Sequence, residues 1–295
     1  MSEINCKCKR WAVSMKACFE SDKFELLYRK GVQCIPHNDY IRLKNYHHRE
    51  DVLAGLIGKL LLFSSASKLS EEPWNIIEFK KTDKGKPYLS SPINQSFGLN
   101  ISHQGDFVVF ASSCSSQVGV DVMRINSERN NMSADEYINS MAQSASKNEL
   151  VLMRTQPTDI MKMTVFYRIW CLKEAVLKAT GEGIMKNLDR LDFNLNTSSR
   201  YRQGCFIKET FLKEDDVNQD QWIFEESFVD ASHVVAVCRD KKMPRQCRLR
   251  DDEAKIFFSK ITLETLLEGA QKINTLPDDG ADAYAELMAR KKKTF

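Results

Sequence analysis

The feature that most constrains the fold of this chain is a repeated order of predicted elements. In the first half, apolar residues recur at helical spacing over residues 50–68, ahead of a short strand, a turn-rich loop and an apolar strand at residues 107–111. In the second half, a helix over about residues 167–180 precedes strands that we predict at residues 191–195, 204–211, 221–226 and 233–238. The segments FVVFAS and HVVAVC, which begin at Phe107 and His233, look like equivalent strands. The sequence therefore predicts an α+β fold of two pseudo-symmetric lobes, with a ligand site in the cleft between them.

The lobe boundaries follow from this repeat and from the charge of the C-terminal part. At 295 residues, the chain exceeds one average domain. We predict an N-terminal lobe over residues 1–125, a C-terminal lobe over residues 126–240 and a charged extension over residues 241–295. The extension contains two runs of lysine, and we expect it to form an appended helix and a loose tail.

Two short segments before the middle of the chain are predicted to form a turn and a hairpin strand. Residues 100–106 are polar and contain a glycine, which is typical of a turn. Residues 118–123 are apolar apart from Asp121, and we expect them to form a strand that pairs with residues 107–111.

Capping patterns place the helices that follow. The polar stretch 126–164 contains two capping boxes, which predict short helices. Their members are Ser133 with Glu136, and Ser146 with Glu149. Gly181 is a normal terminator for the long helix that precedes it.

Composition excludes several classes of protein. The formal net charge of +3 is too small to indicate nucleic-acid or membrane binding. No continuous apolar run approaches the roughly 20 residues that span a bilayer, and the N-terminus lacks a signal-peptide core. The nine cysteines are scattered and odd in number, which fits reduced thiols in the cytosol. Cys6 and Cys8 lie one residue apart but have no matching second pair, so we favour reduced thiols over a zinc site.

Three charged residues suggest phosphate chemistry. Glu174 and Lys178 lie four residues apart on the predicted helix and therefore share one face. Asp121 leaves an apolar strand upstream. Two such carboxylates can share one hard divalent cation whose remaining ligands are substrate phosphates. Taken singly, the helical pair is more typical of a surface ion pair, and Asp121 of an ordinary strand-end residue.

A basic turn supplies a second candidate for phosphate binding. Three lysines surround a glycine in residues 81–86, where backbone amides can form an anion-binding nest. A solvated hairpin is the simpler interpretation of this segment alone. His103 can donate to a phosphate or cap a turn. The chain contains neither a P-loop nor the glycine pattern of a Rossmann dinucleotide site.

Together these motifs resemble a known family. GVDVM at residues 119–123 and WCLKEAVLK at residues 170–178 carry the resemblance, supported by KGKP at 84–87 and NISHQGD at 100–106. In order and spacing they are similar to the 4′-phosphopantetheinyl transferases of the large surfactin-type class. The resemblance covers about residues 10–239.

The resemblance implies the reaction and the roles of the charged residues. Members transfer phosphopantetheine from coenzyme A to a serine of an acyl, peptidyl or aminoadipyl carrier domain, releasing adenosine 3′,5′-bisphosphate. Asp121 and Glu174 resemble the ligands of Mg²⁺, with Mn²⁺ as a substitute. Glu174 also resembles the general base for the carrier serine, and Lys178 the residue that contacts the pyrophosphate. The implied catalytic residues are thus Asp121, Glu174 and Lys178.

The resemblance also implies a set of coenzyme A contacts and a set of partners. The contacts are Arg42, Lys81, Thr82, Asp83, Lys84, Gly85, Lys86, Asn100, Ile101, Ser102, His103, Asp121, Glu174 and Lys178. The implied partners are apo carrier domains of the fatty acid synthase and aminoadipate-semialdehyde dehydrogenase types. We expect a cytosolic monomer that binds neither nucleic acid nor membrane.

One departure from the family pattern leaves a ligand open, and one rival function remains. Bacterial members often place a second acid two residues after the strand aspartate, where this chain has Met123, as animal members do. We expect water to supply that metal ligand.

The rival is a non-catalytic coenzyme A-binding adaptor of carrier proteins. Retention of Asp121, Glu174 and Lys178 favours the enzyme.

Overall fold

Two long helices, each packed against its own sheet, organise the molecule. In this computed structural model, the described residues are 6–92, 97–126, 131–183, 187–195, 204–207, 209–245, 247, 249 and 257–293. The helices, numbered in chain order, are α1 Met15–Phe19, α2 Phe24–Gln33, α3 His37–Leu43, α4 Arg49–Ser70, α5 Ala134–Ser140, α6 Lys147–Arg154, α7 Asp159–Thr180, α8 Leu263–Leu266 and α9 Ala281–Ala289.

The strands form two main sheets and two small ones. They are β1 Arg10–Ser14, β2 Glu78–Lys81, β3 Pro87–Ser91, β4 Gly98–Gln104, β5 Phe107–Ser113, β6 Val118–Arg124, β7 Leu191–Asn194, β8 Phe211–Glu214, β9 Val217–Asn218, β10 Trp222–Asp230, β11 His233–Asp240 and β12 Ser259–Lys260. The first sheet has the order β12-β1-β5-β4, and the second has the order β10-β11-β6. β2 pairs with β3, and β7, β8 and β9 form a small sheet.

The two halves repeat the same arrangement, as the sequence predicts. α4 packs on β4 and β5, and α7 packs on β6 and β11. Both helices are 22 residues long. Each is apolar around most of its circumference because sheet and helices surround it. The α+β fold of two similar lobes is thereby confirmed, and β5 and β11 occupy equivalent central positions.

The helix α4 is as long and apolar as a membrane-spanning helix. Its apolar window is 78% buried inside the protein, against the strands of the first sheet and the neighbouring helices. This is the environment of a core helix, and it explains why the segment lacks a charged face.

Two local predictions in the first half are wrong. Residues 100–106 are mostly strand, since β4 runs to Gln104, and the turn is confined to Gly105 and Asp106. β6 does not pair with β5, because its backbone partner is β11. The pairing places β6 in the sheet of the second half, although our predicted boundary puts it in the first lobe. The first error arises because the polar residues of β4 bind β6 through their side chains and so resemble a turn in the sequence. The second arises because apolarity marks a strand without specifying its partner.

The C-terminal part contains a helix, α9, as we predicted, but its described residues do not form a loose tail. β12 pairs in parallel with β1, and Leu263, Leu266 and Leu287 are buried in the core beneath α4. The described part of this segment therefore completes the first lobe. The predicted boundaries at residues 125 and 240 remain predictions.

In the second half, the helix ends lie mostly where the sequence predicts them. Both predicted capping boxes are present, one before α5 and one before α6. α7 ends at Gly181 in the left-handed conformation, as expected, but begins eight residues earlier than predicted because Thr158 caps it. The predicted strand at 204–211 is wrong for the described residues. Ile207 makes one isolated bridge, and β8 begins at Phe211.

A buried ion cluster joins the two main sheets. Arg10 of β1 donates to Glu225 of β10 over 3.0 Å, and Arg239 of β11 donates to the same carboxylate over 2.7 Å. All three side chains are almost fully buried. A shift of one sheet against the other would separate these charges and leave a buried charge uncompensated. The cluster therefore favours one relative position of the sheets.

Candidate active site

The site begins where β4 meets β6. No backbone ladder joins these strands in the described structure, and side chains of alternate β4 residues take its place. Asn100 Oδ1 accepts from the amide of Val120 over 2.9 Å, and Gln104 Oε1 accepts from the amide of Arg124 over 2.5 Å. Between them, Ser102 faces Asp121. Period-two alternation thus directs the polar residues of β4 at the strand that carries the candidate catalytic acid.

Gly119 lets α7 approach this strand closely. A Cβ at residue 119 would lie 2.0 Å from the carbonyl oxygen of Ala175 and 2.5 Å from the amide nitrogen of Ala179. Only glycine avoids this overlap. The glycine of the GVD motif therefore brings the face of α7 that bears Glu174 and Lys178 against Asp121.

Lys178 binds Asp121 rather than its helical neighbour. Its Nζ lies 2.7 Å from Asp121 Oδ1 and 2.8 Å from Ser102 Oγ. The Ser102 hydroxyl also donates to Asp121 Oδ1, over 2.7 Å. The surface ion pair between Glu174 and Lys178, the alternative interpretation of their spacing, is not formed among the described residues. Three elements, β4, β6 and α7, thus meet at one carboxylate oxygen.

The other groups of this site are available to a ligand. Asp121 Oδ2 is buried and accepts no hydrogen bond from the described part of the chain. Glu174 is half-buried, and burial, followed by the nearby Asp121 carboxylate, raises its pKa, while Lys178 partly offsets the rise. An orphaned buried oxygen beside a second carboxylate is a donor set that fits a hard divalent cation. The residues present therefore fit Mg²⁺.

Glu174 and Lys178 open into a cavity of about 280 Å³ between the β2–β3 hairpin and α7. Most of its lining belongs to the residues that the sequence predicts. It is lined by Lys84, Gly85, Lys86, Pro87, Asn100, Ile101, Glu174, Leu177, Lys178, Gly181 and Gly183. Asp121 and Ser102 lie behind this wall, buried next to Lys178. A larger cavity of about 600 Å³, lined by Arg49, Asp106 and His233 among others, contains none of the predicted site residues.

The basic turn divides into a structural and an exposed part. Lys86 Nζ donates to the carbonyl of Ala179 over 2.6 Å, at the C-terminal end of α7. Burial lowers the pKa of Lys86 to about 8. Lys86 lines the cavity, but its ammonium donates to the helix end, so its predicted contact with phosphate stays a prediction. Lys84 is exposed and makes no hydrogen bond or ion pair among the described residues.

The remaining predicted contacts lie outside the cavity wall. Lys81, Asp83 and His103 are exposed. Thr82 shapes the turn, since its carbonyl accepts from the Gly85 amide over 2.8 Å and its Oγ1 from the Lys86 amide over 3.1 Å. None of these residues lines the cavity that contains Glu174.

Arg42 is the least central of the predicted contacts. It lies on α3, is 68% exposed and pairs with Asp39 over 3.5 Å. It does not line the cavity. Arg42 was assigned by its distance in sequence from Lys81. That distance does not show which way the side chain points, so it could not predict whether Arg42 reaches the cavity.

Sequence analysis missed a structural role for Lys173, next to Glu174. Its ammonium is fully buried and binds Glu149 over 2.7 Å and the carbonyls of Ser144 and Leu188 over 2.9 and 2.7 Å. Glu149 in turn accepts from the Phe193 amide. Lys173 therefore fixes α7 to α6 and β7. The signal was the capping-box Glu149, whose negative charge needs a cation when it is buried; Lys173 binds Oε2, the same oxygen that accepts from the Ser146 amide.

Comparison with known proteins agrees with this site. Residues 24–115 match the family described as 4′-phosphopantetheinyl transferase, N-terminal, and residues 117–238 match the 4′-phosphopantetheinyl transferase superfamily. The second match contains Asp121, Glu174 and Lys178.

Full-length relatives extend these matches. The L-aminoadipate-semialdehyde dehydrogenase-phosphopantetheinyl transferase of Homo sapiens is 34% identical over 79% of this chain and 74% of its own length. The Xenopus laevis protein of the same name is 29% identical over 97% of this chain and 93% of its own length. The 4′-phosphopantetheinyl transferase of Bacillus subtilis is 27% identical over 57% of this chain. With a family match in each half and similarity to relatives along most of its length, the chain belongs to the 4′-phosphopantetheinyl transferase family.

Proposed function

We propose that this protein transfers 4′-phosphopantetheine from coenzyme A to a serine hydroxyl of an apo carrier domain, releasing adenosine 3′,5′-bisphosphate. One observation carries the proposal. Two carboxylates and an ammonium, on Asp121, Glu174 and Lys178, meet at the wall of a cavity that a basic turn borders. Displacement at a pyrophosphate requires a base for the nucleophile and positive charge for the leaving group, and this arrangement supplies both.

Glu174 is placed to accept the proton of the carrier serine. Its carboxylate faces the cavity and has no competing partner among the described residues. Burial raises its pKa, which makes the carboxylate a stronger base than an exposed glutamate. Proton transfer to Glu174 leaves the serine oxygen free to attack the phosphorus of the phosphopantetheine arm.

Lys178 and Lys84 are placed to stabilise the charge that the leaving group acquires. The Lys178 ammonium is held by Asp121 and Ser102 and lines the cavity, so its position is fixed before substrate binds. Lys84 lies across the opening with no partner among the described residues. A preorganised charge costs no reorganisation during reaction, which is the source of its catalytic value.

Asp121 and Glu174 are the residues that would hold Mg²⁺. When bound, the ion neutralises pyrophosphate charge beyond what the lysines provide. Asp121 Oδ2 is the atom that the protein leaves unpartnered for this purpose. Met123 lies two residues further along β6 and offers no oxygen, so we propose water as the additional ligand.

The enzyme type and the carriers are the finer part of the proposal. We assign holo-[acyl-carrier-protein] synthase activity, with carrier domains of the fatty acid synthase and aminoadipate-semialdehyde dehydrogenase types as acceptors. The names of the vertebrate relatives support the second acceptor. We also propose a cytosolic monomer. No disulfide joins any of the nine cysteines, all of which are described, and this supports a reducing compartment.

A transfer assay tests the proposal directly. The full chain is incubated with coenzyme A, Mg²⁺ and apo acyl carrier protein, and the carrier mass is followed. Addition of one phosphopantetheine to the carrier serine is expected. Absence of transfer to both an acyl and an aminoadipyl carrier would overturn the proposed activity.

The carrier mass also distinguishes the enzyme from the rival adaptor, and calorimetry tests the coenzyme A binding that both functions require. An adaptor binds coenzyme A and carrier but leaves the carrier mass unchanged. If the cavity binds coenzyme A, Lys84→Ala weakens that binding by about 1–3 kcal/mol through loss of a charge-assisted contact. Lys80→Ala, which removes an exposed lysine from β2 outside the cavity, is the matched control.

A further inference from the structure

Four cysteines from three distant parts of the chain meet at one point. The sulfur atoms of Cys6, Cys8, Cys114 and Cys247 all lie within 4.8 Å of one another. Cys6 Sγ is 4.0 Å from Cys114 Sγ and 3.8 Å from Cys247 Sγ. Cys8 Sγ is 3.7 Å from Cys114 Sγ and 3.6 Å from Cys247 Sγ. The two thiols of the N-terminal segment thus each face the same two distant thiols.

These distances suit a single metal ion and not disulfides. A disulfide requires sulfur atoms about 2.05 Å apart, far closer than any pair here. A tetrahedral ion with Zn–S bonds of about 2.3 Å separates its sulfur ligands by about 3.8 Å. The four separations of 3.6 to 4.0 Å bracket that value. Since the remaining two pairs also lie within 4.8 Å, the four sulfur atoms are close to the arrangement that tetrahedral thiolate-bound zinc requires.

The fold explains how the cysteines meet. β1 and β5 are antiparallel, and Arg10 pairs with Ala111, so the segment before β1 runs beside the segment after β5. Ser112 fastens the two by accepting from the Lys9 amide and donating to the Lys7 carbonyl. Cys247 arrives from the chain that follows β11. The second pair that Cys6 and Cys8 lack in the sequence is thus supplied by tertiary structure.

The surroundings resemble those of a thiolate site. The Lys7 amide donates to Cys114 Sγ over 3.3 Å, a contact that stabilises negative charge on sulfur. Leu249 and Met243 pack against the cluster, and Cys8 and Cys247 are buried. An N–H donor and an apolar cover protect metal-bound sulfur from exchange with solvent.

We propose that Cys6, Cys8, Cys114 and Cys247 form a structural zinc site. Binding exchanges four thiol protons, which pass to solvent, for one Zn²⁺ held by four thiolates. Four protein ligands leave no open position, so the ion has no catalytic role. It fastens the N-terminal segment, the loop that leads into β6 and the segment after β11 to one another. The site is independent of the proposed transferase function.

Cobalt substitution tests the site in the full chain. The reduced protein is stripped with a chelator without oxygen and titrated with Co²⁺. A thiolate-to-cobalt charge-transfer band and intense visible bands of tetrahedral cobalt are expected to saturate at about one equivalent and to disappear when Zn²⁺ is added. Metal analysis of protein purified with zinc is expected to give about one zinc per chain.

Variants locate the ion. Cys8→Ser and Cys247→Ser are expected to lose the cobalt bands and the zinc, whereas Cys205→Ser, at an exposed cysteine outside the cluster, retains both. If a cluster variant does not fold, the wild-type cobalt spectrum still decides. A wild-type protein that binds neither cobalt nor zinc overturns the proposal. So do iron in place of zinc, disulfides among these cysteines in freshly reduced protein, and loss of the bands in Cys205→Ser.

Discussion

Lys178 binds Asp121 through one carboxylate oxygen and leaves the other without a partner. The ammonium lies 2.7 Å from Oδ1, which also accepts from Ser102, while Oδ2 is buried and accepts nothing among the described residues. A buried carboxylate oxygen without a hydrogen bond lowers the stability of the fold unless a ligand binds it. The pair therefore orients Asp121, and the oxygen without a partner is the atom to which the proposed Mg²⁺ would bind.

Coupling between these two residues is measurable. Lys178→Met leaves the Asp121 carboxylate buried without its cation, and Asp121→Asn leaves the ammonium without its anion. We expect each single variant to lower the free energy of unfolding, and the double variant to cost less than their sum by about 1–3 kcal/mol. Urea unfolding of the four proteins without added metal measures this energy. Strict additivity would contradict the interaction.

Glu174→Gln should lower transfer and leave stability nearly unchanged. The substitution removes a base and a negative charge but keeps the shape of the side chain. Since a general base contributes about 10²–10⁴-fold, transfer should fall by at least about 100-fold. Glu182→Gln, at an exposed glutamate just beyond α7, serves as the control. An unfolded Glu174 variant would show a structural role, and near wild-type transfer would assign the base elsewhere.

Transfer should require a divalent cation. Chelation with EDTA is expected to abolish it, and Mg²⁺ or Mn²⁺ to restore it, because the lysines alone do not offset the pyrophosphate charge. Chelation also strips a zinc site, so recovery with Mg²⁺ alone is the informative step. Full activity in EDTA would refute the metal role of Asp121 and Glu174.

Gly119→Ala should destabilise the protein and misplace the catalytic helix. The added methyl group would lie 2.0 Å from the Ala175 carbonyl oxygen, so α7 must shift away from β6. We expect a loss of about 1–3 kcal/mol in the free energy of unfolding, as for other overpacked cores, together with lower transfer. In Gly31→Ala, the methyl group meets only the side-chain ends of Leu60 and Leu56, at 3.3 and 3.4 Å, and no backbone atom, so this variant should cost less than Gly119→Ala. Equal effects of the two would exclude helix displacement.

Because Lys86 is half-buried, the free energy of unfolding should depend on pH in the alkaline range. Burial lowers its folded pKa to about 8 from 10.5, so the unfolded chain binds more protons between these values. The unfolding free energy of the wild type, relative to Lys86→Met, should therefore rise with pH across that window. Cys238 faces Lys86, but burial raises its thiol pKa well above the usual value. Lys84→Met should show no such trend, and a flat Lys86 difference would refute the lowered pKa.

Local patterns in the sequence were sufficient to predict most helices and strands and the central residues of the site. The spacing of Glu174 and Lys178 on one helix, the acid within an apolar strand and the two capping boxes depend on neighbours within a few residues. Such features are encoded by periodicity and by side-chain chemistry. They led to Asp121, Glu174 and Lys178, which the structure brings together.

The partners of distant segments could not be predicted in the same way. Nothing in residues 118–123 indicates that β6 pairs with β11. Likewise, nothing in the basic turn indicates that the Lys86 ammonium donates to the carbonyl at the end of α7. Cys114 and Cys247 are brought to Cys6 and Cys8 by tertiary structure, from more than 100 residues away in the sequence. These contacts depend on which apolar faces pack together, and many pairings satisfy the same alternation.

The parallel pairing of β12 with β1 has a consequence for how the chain is made. β1 leaves the ribosome about 245 residues ahead of Ser259 and Lys260, which cover its outer edge. The second sheet, built from residues 118–240, is synthesised in full before that edge is covered. Contacts between such distant residues form slowly, and an uncovered strand edge invites association with other chains. The lobe that begins first during translation is therefore the one completed last, and truncation near residue 250 would expose β1 rather than trim a dispensable tail.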